Sequence, residues 1–82
     1  MRGTDMSKKA RLIVEGLGGT GNIAEIEACI TRLRTEVRDT EAVDVDALRK
    51  AGALGVLVSA GVVQVVVGPE ADSLAEDIKE LL

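Results

Sequence analysis

The chain has 82 residues and a net charge of −4, and 46% of its residues are hydrophobic, with no aromatic side chain and no histidine. This composition suffices for one small folded domain whose core is built from aliphatic side chains. The acidic balance and the missing rings argue against binding of DNA or RNA, and the missing histidine removes the commonest general base and metal ligand. A single cysteine without a signal peptide or a long apolar run predicts a reduced, cytoplasmic domain.

The first half of the chain predicts one helix and one β-hairpin. Residues 1–7 are typical of a disordered start, and a single domain is expected over residues 8–82. Apolar residues at helical spacing predict a helix over 8–17, which the following glycines end. Two short segments, 23–28 and 32–38, predict paired strands with the bend at Cys29 to Thr31.

The second half repeats this order and adds a final helix. Asp44 is a good N-cap for a short helix over 45–51. β-Branched runs at 56–59 and 62–67 predict a second hairpin, and an amphipathic helix is expected over 70–82. The order α-β-β-α-β-β-α predicts an α+β, two-layer sandwich in which helices cover one face of a four-stranded, mainly antiparallel sheet.

The strongest candidate site surrounds Cys29, which has Glu27 before it and Thr31, Arg32 and Arg34 after it. Thiolates are strong nucleophiles, nearby cations favour them, and arginine presents donors that match phosphate oxygens. The two arginines are two residues apart on a predicted strand, so both point to one face. Although a lone cysteine is more often an inert, buried apolar residue, this cluster predicts a thiol that accepts and passes on a phosphoryl group. Backbone N–H groups of the bend and the threonine hydroxyl would help to bind it.

Two further features of the sequence are candidates for a function. The run from Gly16 to Gly21 matches G-x-G-x-x-G, with Glu36 or Asp39 near the distance of a ribose-binding acid. A lone match is weak, and we favour a helix end and turn before a strand over a dinucleotide site. A P-loop is excluded because no Gly-Lys-Ser/Thr follows these glycines. Gln64 is a polar residue within an apolar strand, and it is expected to reach the face of the candidate site.

Together these segments resemble the IIB domain of the bacterial sugar phosphotransferase system, of the glucose and N-acetylglucosamine type, from about Ala10 to Leu82. The matching residues are Gly18-Gly19, Asn22-Ile23, Ala28-Cys29-Ile30-Thr31-Arg32-Leu33-Arg34, Val43-Asp44, Leu48-Arg49-Lys50, Gly55-Val56, Val63-Gln64 and Gly68. The resemblance implies a four-stranded antiparallel sheet with three helices on one face.

The resemblance also implies a function. Cys29 would take a phosphoryl group from a phosphohistidine of a IIA protein or domain and pass it to a sugar held by the membrane-embedded IIC domain. Arg32 and Arg34 match the family arginines that flank the phosphocysteine, and Thr31 matches the family threonine. Glu27 stands where many members have Asp, and it is expected to support the phosphoryl site.

The expected site is completed by Ile30 and Gln64 as further support for the phosphoryl group, without metal or cofactor. The sugar is expected to be N-acetylglucosamine or glucose, and the domain is expected at the inner face of the cell membrane through IIC. The alternative is a non-catalytic regulatory module of the same fold that binds another protein through the same face. Replacement of Cys29 by Ser separates the two, since it would abolish sugar phosphorylation and leave such binding intact.

Overall fold

The computed structural model describes residues 5–82 of the chain, and it contains three helices and four strands. The helices are α1 (Asp5–Gly16), α2 (Val45–Lys50) and α3 (Ala71–Leu81), and the strands are β1 (Ile23–Cys29), β2 (Arg32–Val37), β3 (Gly55–Ser59) and β4 (Val62–Val66). The predicted element order is confirmed, with ends that differ by at most three residues. Residues 1–4 of the expected disordered start lie outside the described residues, so disorder there stays a prediction, whereas residues 5–7 belong to α1.

The four strands form one antiparallel sheet in the order β1-β2-β4-β3. Along β2, Leu33, Thr35 and Val37 are buried, whereas Arg32 and Arg34 are exposed. This alternation shows that the helices cover one face of the sheet. The other face, here called the open face, carries the side chains of alternate strand residues into solvent. The predicted α+β sandwich is therefore confirmed.

The core is packed from aliphatic side chains contributed by every layer. Its largest fully buried side chains are those of Ile13, Leu17, Leu33, Leu48, Leu74, Ile78, Val63, Val65 and Thr35. Thr35 is the polar exception, because its Oγ1 is buried with no hydrogen-bond partner among the described residues. An unpaired buried hydroxyl costs free energy, which makes this position a weak point of the core.

The glycines after α1 end the helix and turn the chain towards β1. Gly19 N donates to Val14 O (2.9 Å) and Gly18 N to Glu15 O (3.1 Å), the two bonds of a Schellman motif, and Gly18 has φ 105°. A Cβ on Gly16 would lie 2.8 Å from Leu48 Cδ2, so glycine permits α1 and α2 to pack closely. The order here is helix, glycines, strand, which is the reverse of a dinucleotide-binding unit. The dinucleotide alternative is therefore wrong.

Asn22 fastens this turn to the loop after β2. Its Nδ2 donates to Leu17 O (2.7 Å) and to Asp39 O (3.0 Å), and its Oδ1 accepts from Asp39 N (2.9 Å). The amide is thereby satisfied on both sides in a buried position. The bonds between Asn22 and Asp39 hold the two strands of the first hairpin together at the end away from Cys29.

The short helix α2 begins at the predicted cap. Asp44 Oδ1 accepts from Ala47 N (3.1 Å), and Asp44 N donates to Gly16 O (2.7 Å). One residue therefore both caps α2 and ties it to α1. Within residues 5–82, no helix has the length and apolar character needed to cross a membrane.

Candidate functional site

Cys29 is the last residue of β1 and lies directly opposite Arg32, the first residue of β2. The sequence placed Cys29 within the bend, and this detail is wrong, since the turn consists of Ile30 and Thr31 alone. Directly opposed residues of an antiparallel pair have their side chains on the same face. The exposed thiol and the Arg32 guanidinium thus share the open face at one end of the sheet.

The turn beside the thiol has an unusual backbone. Ile30 adopts φ 57° in a two-residue hairpin turn, where a positive φ normally calls for glycine or asparagine. For a β-branched residue this conformation is an outlier, and such residues cost on the order of 1–3 kcal/mol. The Ile30 side chain is also 85% exposed. The turn therefore holds a large apolar group in solvent next to Cys29 despite its conformational cost.

The turn is fastened to the sheet through Thr31. The carbonyl oxygen of Thr31 accepts from Val67 N (2.9 Å) and from Gly68 N (3.0 Å), immediately after β4. These bonds fix the position of the turn relative to β4. The contribution predicted for the exposed Thr31 hydroxyl and for the Ile30 backbone in binding a phosphoryl group stays a prediction.

Arg32 is oriented by a residue from another strand. Its Nη1 donates to Gln64 Oε1 at 3.1 Å, which joins β2 to the middle of β4. Gln64 lies opposite Arg34 in the β2–β4 register and faces the open side of the sheet, as predicted. The bond uses one N–H group and leaves the other guanidinium donors of Arg32 available to an anion.

Arg34 has a partner that the sequence analysis missed. Its Nη1 lies 3.4 Å from Glu36 Oε2, two residues further along β2 and on the same face. Glu27, the acid expected to support the site, lies opposite Arg34 on β1. Among the described residues, the acid within 4.0 Å of the Arg34 guanidinium is nevertheless Glu36. The spacing of two residues on a strand was the available signal.

The candidate site lies at one end of the sheet, where Cys29 and Ile30 are exposed to solvent. A depression of about 370 Å³ lies elsewhere, on the helical side, between α1, the turn that follows it and the end of α3; its lining residues are Arg11, Val14, Glu15, Gly19, Thr20 and Leu81. Small-molecule sites are usually concave and enclose their ligand. An exposed thiol beside an exposed turn is instead accessible to the surface of another protein.

Fold and site together define an α+β domain that presents one thiol and two arginines at the end of a half-covered sheet. Residues 11–44 match the family model described as phosphotransferase system, EIIB. The chain is also 52% identical over 77 residues to the PTS system N-acetylglucosamine-specific EIIB component of Streptomyces coelicolor, covering 94% of this chain and 100% of that protein. The chain therefore belongs to the EIIB family of the phosphotransferase system, a transferase component.

Other relatives are larger proteins. The chain is 41% identical to the glucoside-specific and 40% identical to the glucose-specific EIICBA components of Staphylococcus carnosus, each over 85% of this chain but only 10% of the relative. One domain of a PTS IIabc component from Clostridium difficile has a similar structure, with a TM-score of 0.75 at 25% identity, covering 98% of this chain and 81% of that one. EIIB domains thus occur both as separate components and within longer chains.

Proposed function

We propose that this protein is a phosphocarrier that accepts a phosphoryl group on Cys29 and passes it to a sugar during uptake. The observation that carries the proposal is the exposed thiol facing Arg32 across the end of the hairpin, with the guanidinium oriented by Gln64. The donor is a phosphohistidine of a IIA protein or domain. The final acceptor is a sugar bound by the membrane component IIC.

In the first transfer, the thiolate of Cys29 attacks the phosphorus of the donor phosphohistidine. An S–P bond forms and the N–P bond breaks, and the released imidazole nitrogen takes up a proton in place of the one that the thiol gave to solvent. Such a transfer needs in-line positioning and donors for the equatorial oxygens more than covalent assistance. Arg32 supplies these donors from the residue opposite Cys29, and Arg34 supplies them from the diagonal position on the same face.

In the second transfer, a hydroxyl oxygen of the sugar attacks the same phosphorus. An O–P bond forms, the S–P bond breaks, and Cys29 leaves as the thiolate while the hydroxyl proton passes to solvent or to a base of the partner. The guanidinium groups stabilise charge on the phosphoryl oxygens in both directions. Thr31, and the backbone N–H groups beginning at Ile30, add donors next to the thiol.

The partners follow from the same arrangement. The exposed Ile30 beside Cys29 supplies apolar contact, and Arg32 supplies a positive charge that steers an acidic IIA surface. The contact has to be small and short-lived, because a carrier must release each partner. The larger relatives whose names combine EIIC, EIIB and EIIA support these partners. Transfer of the phosphoryl group to the sugar bound by IIC would take place at the cytoplasmic face of the membrane.

The sugar is proposed to be N-acetylglucosamine. The support is the Streptomyces coelicolor relative, 52% identical over its whole length, whose name gives that specificity. Glucose is the second candidate, through the 40% identical glucose-specific relative. Vesicles that contain a IIC of one or the other specificity would separate them, with sugar phosphate as the measured product.

The first experiment is intact-mass spectrometry after incubation with phosphoenolpyruvate, the two general phosphotransferase proteins and a glucose-type IIA. The wild type is expected to gain the mass of one phosphoryl group, and the Cys29→Ser variant is expected to gain none. An Asp44→Asn variant, altered far from the thiol, is a matched control that should be phosphorylated normally. No gain on the wild type with any fully phosphorylated IIA would contradict the carrier function and favour the binding module.

A further inference from the structure

We propose that Glu36 is a positioning residue that holds Arg34 away from Cys29 until the phosphoryl group arrives. This inference rests on the proposed function and adds to it a resting state of the site. It starts from the contact between Arg34 Nη1 and Glu36 Oε2 at 3.4 Å. This contact is the resting ion pair of Arg34.

The two possible partners of Arg34, Glu36 and a phosphoryl group on Cys29, lie in opposite directions from it along the sheet. Cys29 lies diagonally across the β1–β2 pair from Arg34, a separation of about 7–8 Å that a long side chain can span. Glu36 lies two residues further along β2, about 7 Å further from the Cys29 end of the sheet at the usual rise per residue. An Arg34 side chain engaged with Glu36 therefore extends away from the thiol.

The acidic residues near Glu36 explain why it pairs with the Arg34 guanidinium. Glu36 lies directly opposite Glu25 on the same face of the β1–β2 pair. Like charges directly opposed across two strands destabilise a sheet, and a cation between them reduces the repulsion. Glu27 adds a third carboxylate opposite Arg34 itself. Arg34 is thus drawn to the acidic end of the open face, whereas Arg32 donates to Gln64 on β4, the neighbour of β2 on the side away from β1.

The resting ion pair is weak enough to be exchanged. Both side chains are 45% exposed, and pairs of this kind contribute little to stability because solvent screens them. A phosphoryl group on Cys29 carries more negative charge than one carboxylate and offers three acceptor oxygens. Arg34 is therefore expected to leave Glu36 when Cys29 is phosphorylated and to return after the group is passed on.

This exchange has a measurable consequence for the phosphoryl equilibrium. The resting ion pair must break before Arg34 can bind the phosphoryl group, and this lowers the net affinity of Arg34 for that group. The Glu36→Gln substitution removes that competition without changing the size of the side chain. The equilibrium between phosphorylated IIA and this protein should shift towards phosphorylated Cys29 by about 1.5- to 5-fold, the range that an exposed ion pair permits.

The test measures the phosphorylated fraction of Cys29 by intact mass at equilibrium with a limiting amount of phosphorylated IIA. The matched control is Glu25→Gln, which removes one negative charge from the residue opposite Glu36. We expect an increased fraction for Glu36→Gln and a clearly smaller change for Glu25→Gln. In the Arg34→Ala background, Glu36→Gln should have no effect, since the competition acts through Arg34.

A second measurement observes the guanidinium directly. The NMR resonance of the Arg34 side-chain Nε–H is expected to shift in Glu36→Gln, because the carboxylate partner is lost, and to shift when the wild type is phosphorylated, because the guanidinium exchanges Glu36 for the phosphoryl oxygens. Equal fractions in wild type and Glu36→Gln, a lower fraction in Glu36→Gln, or an effect that persists without Arg34 would each overturn the inference while the carrier function stands. A wild type that takes up no phosphoryl group from any IIA would overturn both.

Discussion

Replacing Ile30 with glycine is expected to stabilise the protein, although it removes a large side chain from the candidate site. Ile30 has φ 57° at the first position of the turn that follows Cys29. Glycine adopts this conformation without steric cost, whereas a side chain branched at Cβ is strained there. The prediction therefore tests the strained turn that presents the thiol.

The magnitude follows from three contributions. Relief of the strain at Ile30 gains about 1–3 kcal/mol. The greater freedom of glycine in the unfolded chain costs about 0.5–1 kcal/mol. Because the side chain is 85% exposed, the apolar burial that is lost amounts to only about 0.2–0.4 kcal/mol. The free energy of unfolding should rise by about 1 kcal/mol, which corresponds to about 4–8 °C in Tm for a domain of this size.

Urea denaturation and thermal unfolding measure this change directly. Ala60 is the matched control, because it also has a positive φ (50°) in a hairpin turn but lacks branching at Cβ, so Ala60→Gly should gain less. Leu54→Ala, at a residue 78% exposed, controls for removal of an exposed apolar group and should change stability little. An Ile30→Gly protein no more stable than the wild type would refute the reasoning. The same variant is expected to accept phosphoryl groups more slowly, since an apolar contact with IIA is lost.

Asn22→Ala should lower the free energy of unfolding, measured by urea denaturation, by about 3 kcal/mol, because three hydrogen bonds of about 1 kcal/mol each are lost. A decrease below about 1 kcal/mol would contradict the role of Asn22 in fastening the turn. Thr35→Val should raise it by about 1 kcal/mol, since the hydroxyl is buried without a partner, and a less stable variant would mean that the hydroxyl is satisfied. Arg32→Ala should slow transfer to the sugar by about a hundred-fold with Tm nearly unchanged, and wild-type rates would remove Arg32 from the mechanism.

Much of the fold was predictable because its signals are local. The Asp44 cap, the glycines after α1 and the two β-branched runs each act within a few residues, and each lies where it was predicted. The turn at Ile30 was placed less well because its sequence lacks the glycine or asparagine that usually marks such a turn. Its conformation depends on the pairing of β1 with β2 and on the bonds from Thr31 to residues after β4.

The candidate site was predictable in part for the same reason. Cys29, Arg32 and Arg34 lie within six residues, so their shared location follows from the chain itself. The orientation of each arginine side chain does not follow from the local sequence. The hydrogen-bond partner of Arg32 is Gln64, which is 32 residues away in the chain. The one sequence signal for this contact is that Gln64 is a polar residue within an apolar strand. The pairing of Arg34 with Glu36 depends on which acid the twist of the sheet brings nearest, which alternation alone does not decide.

The location of Cys29 at one end of a half-covered sheet has a kinetic consequence for the proposed carrier. Both partners would have to approach the same exposed turn beside Cys29, so IIA and the sugar-bearing IIC would compete for one docking position. A complex that joins all three around Cys29 would then not be a working intermediate, and the proposed relay would run as a ping-pong cycle. Excess unphosphorylated IIA would occupy the turn beside Cys29 and so would act as an inhibitor of sugar uptake.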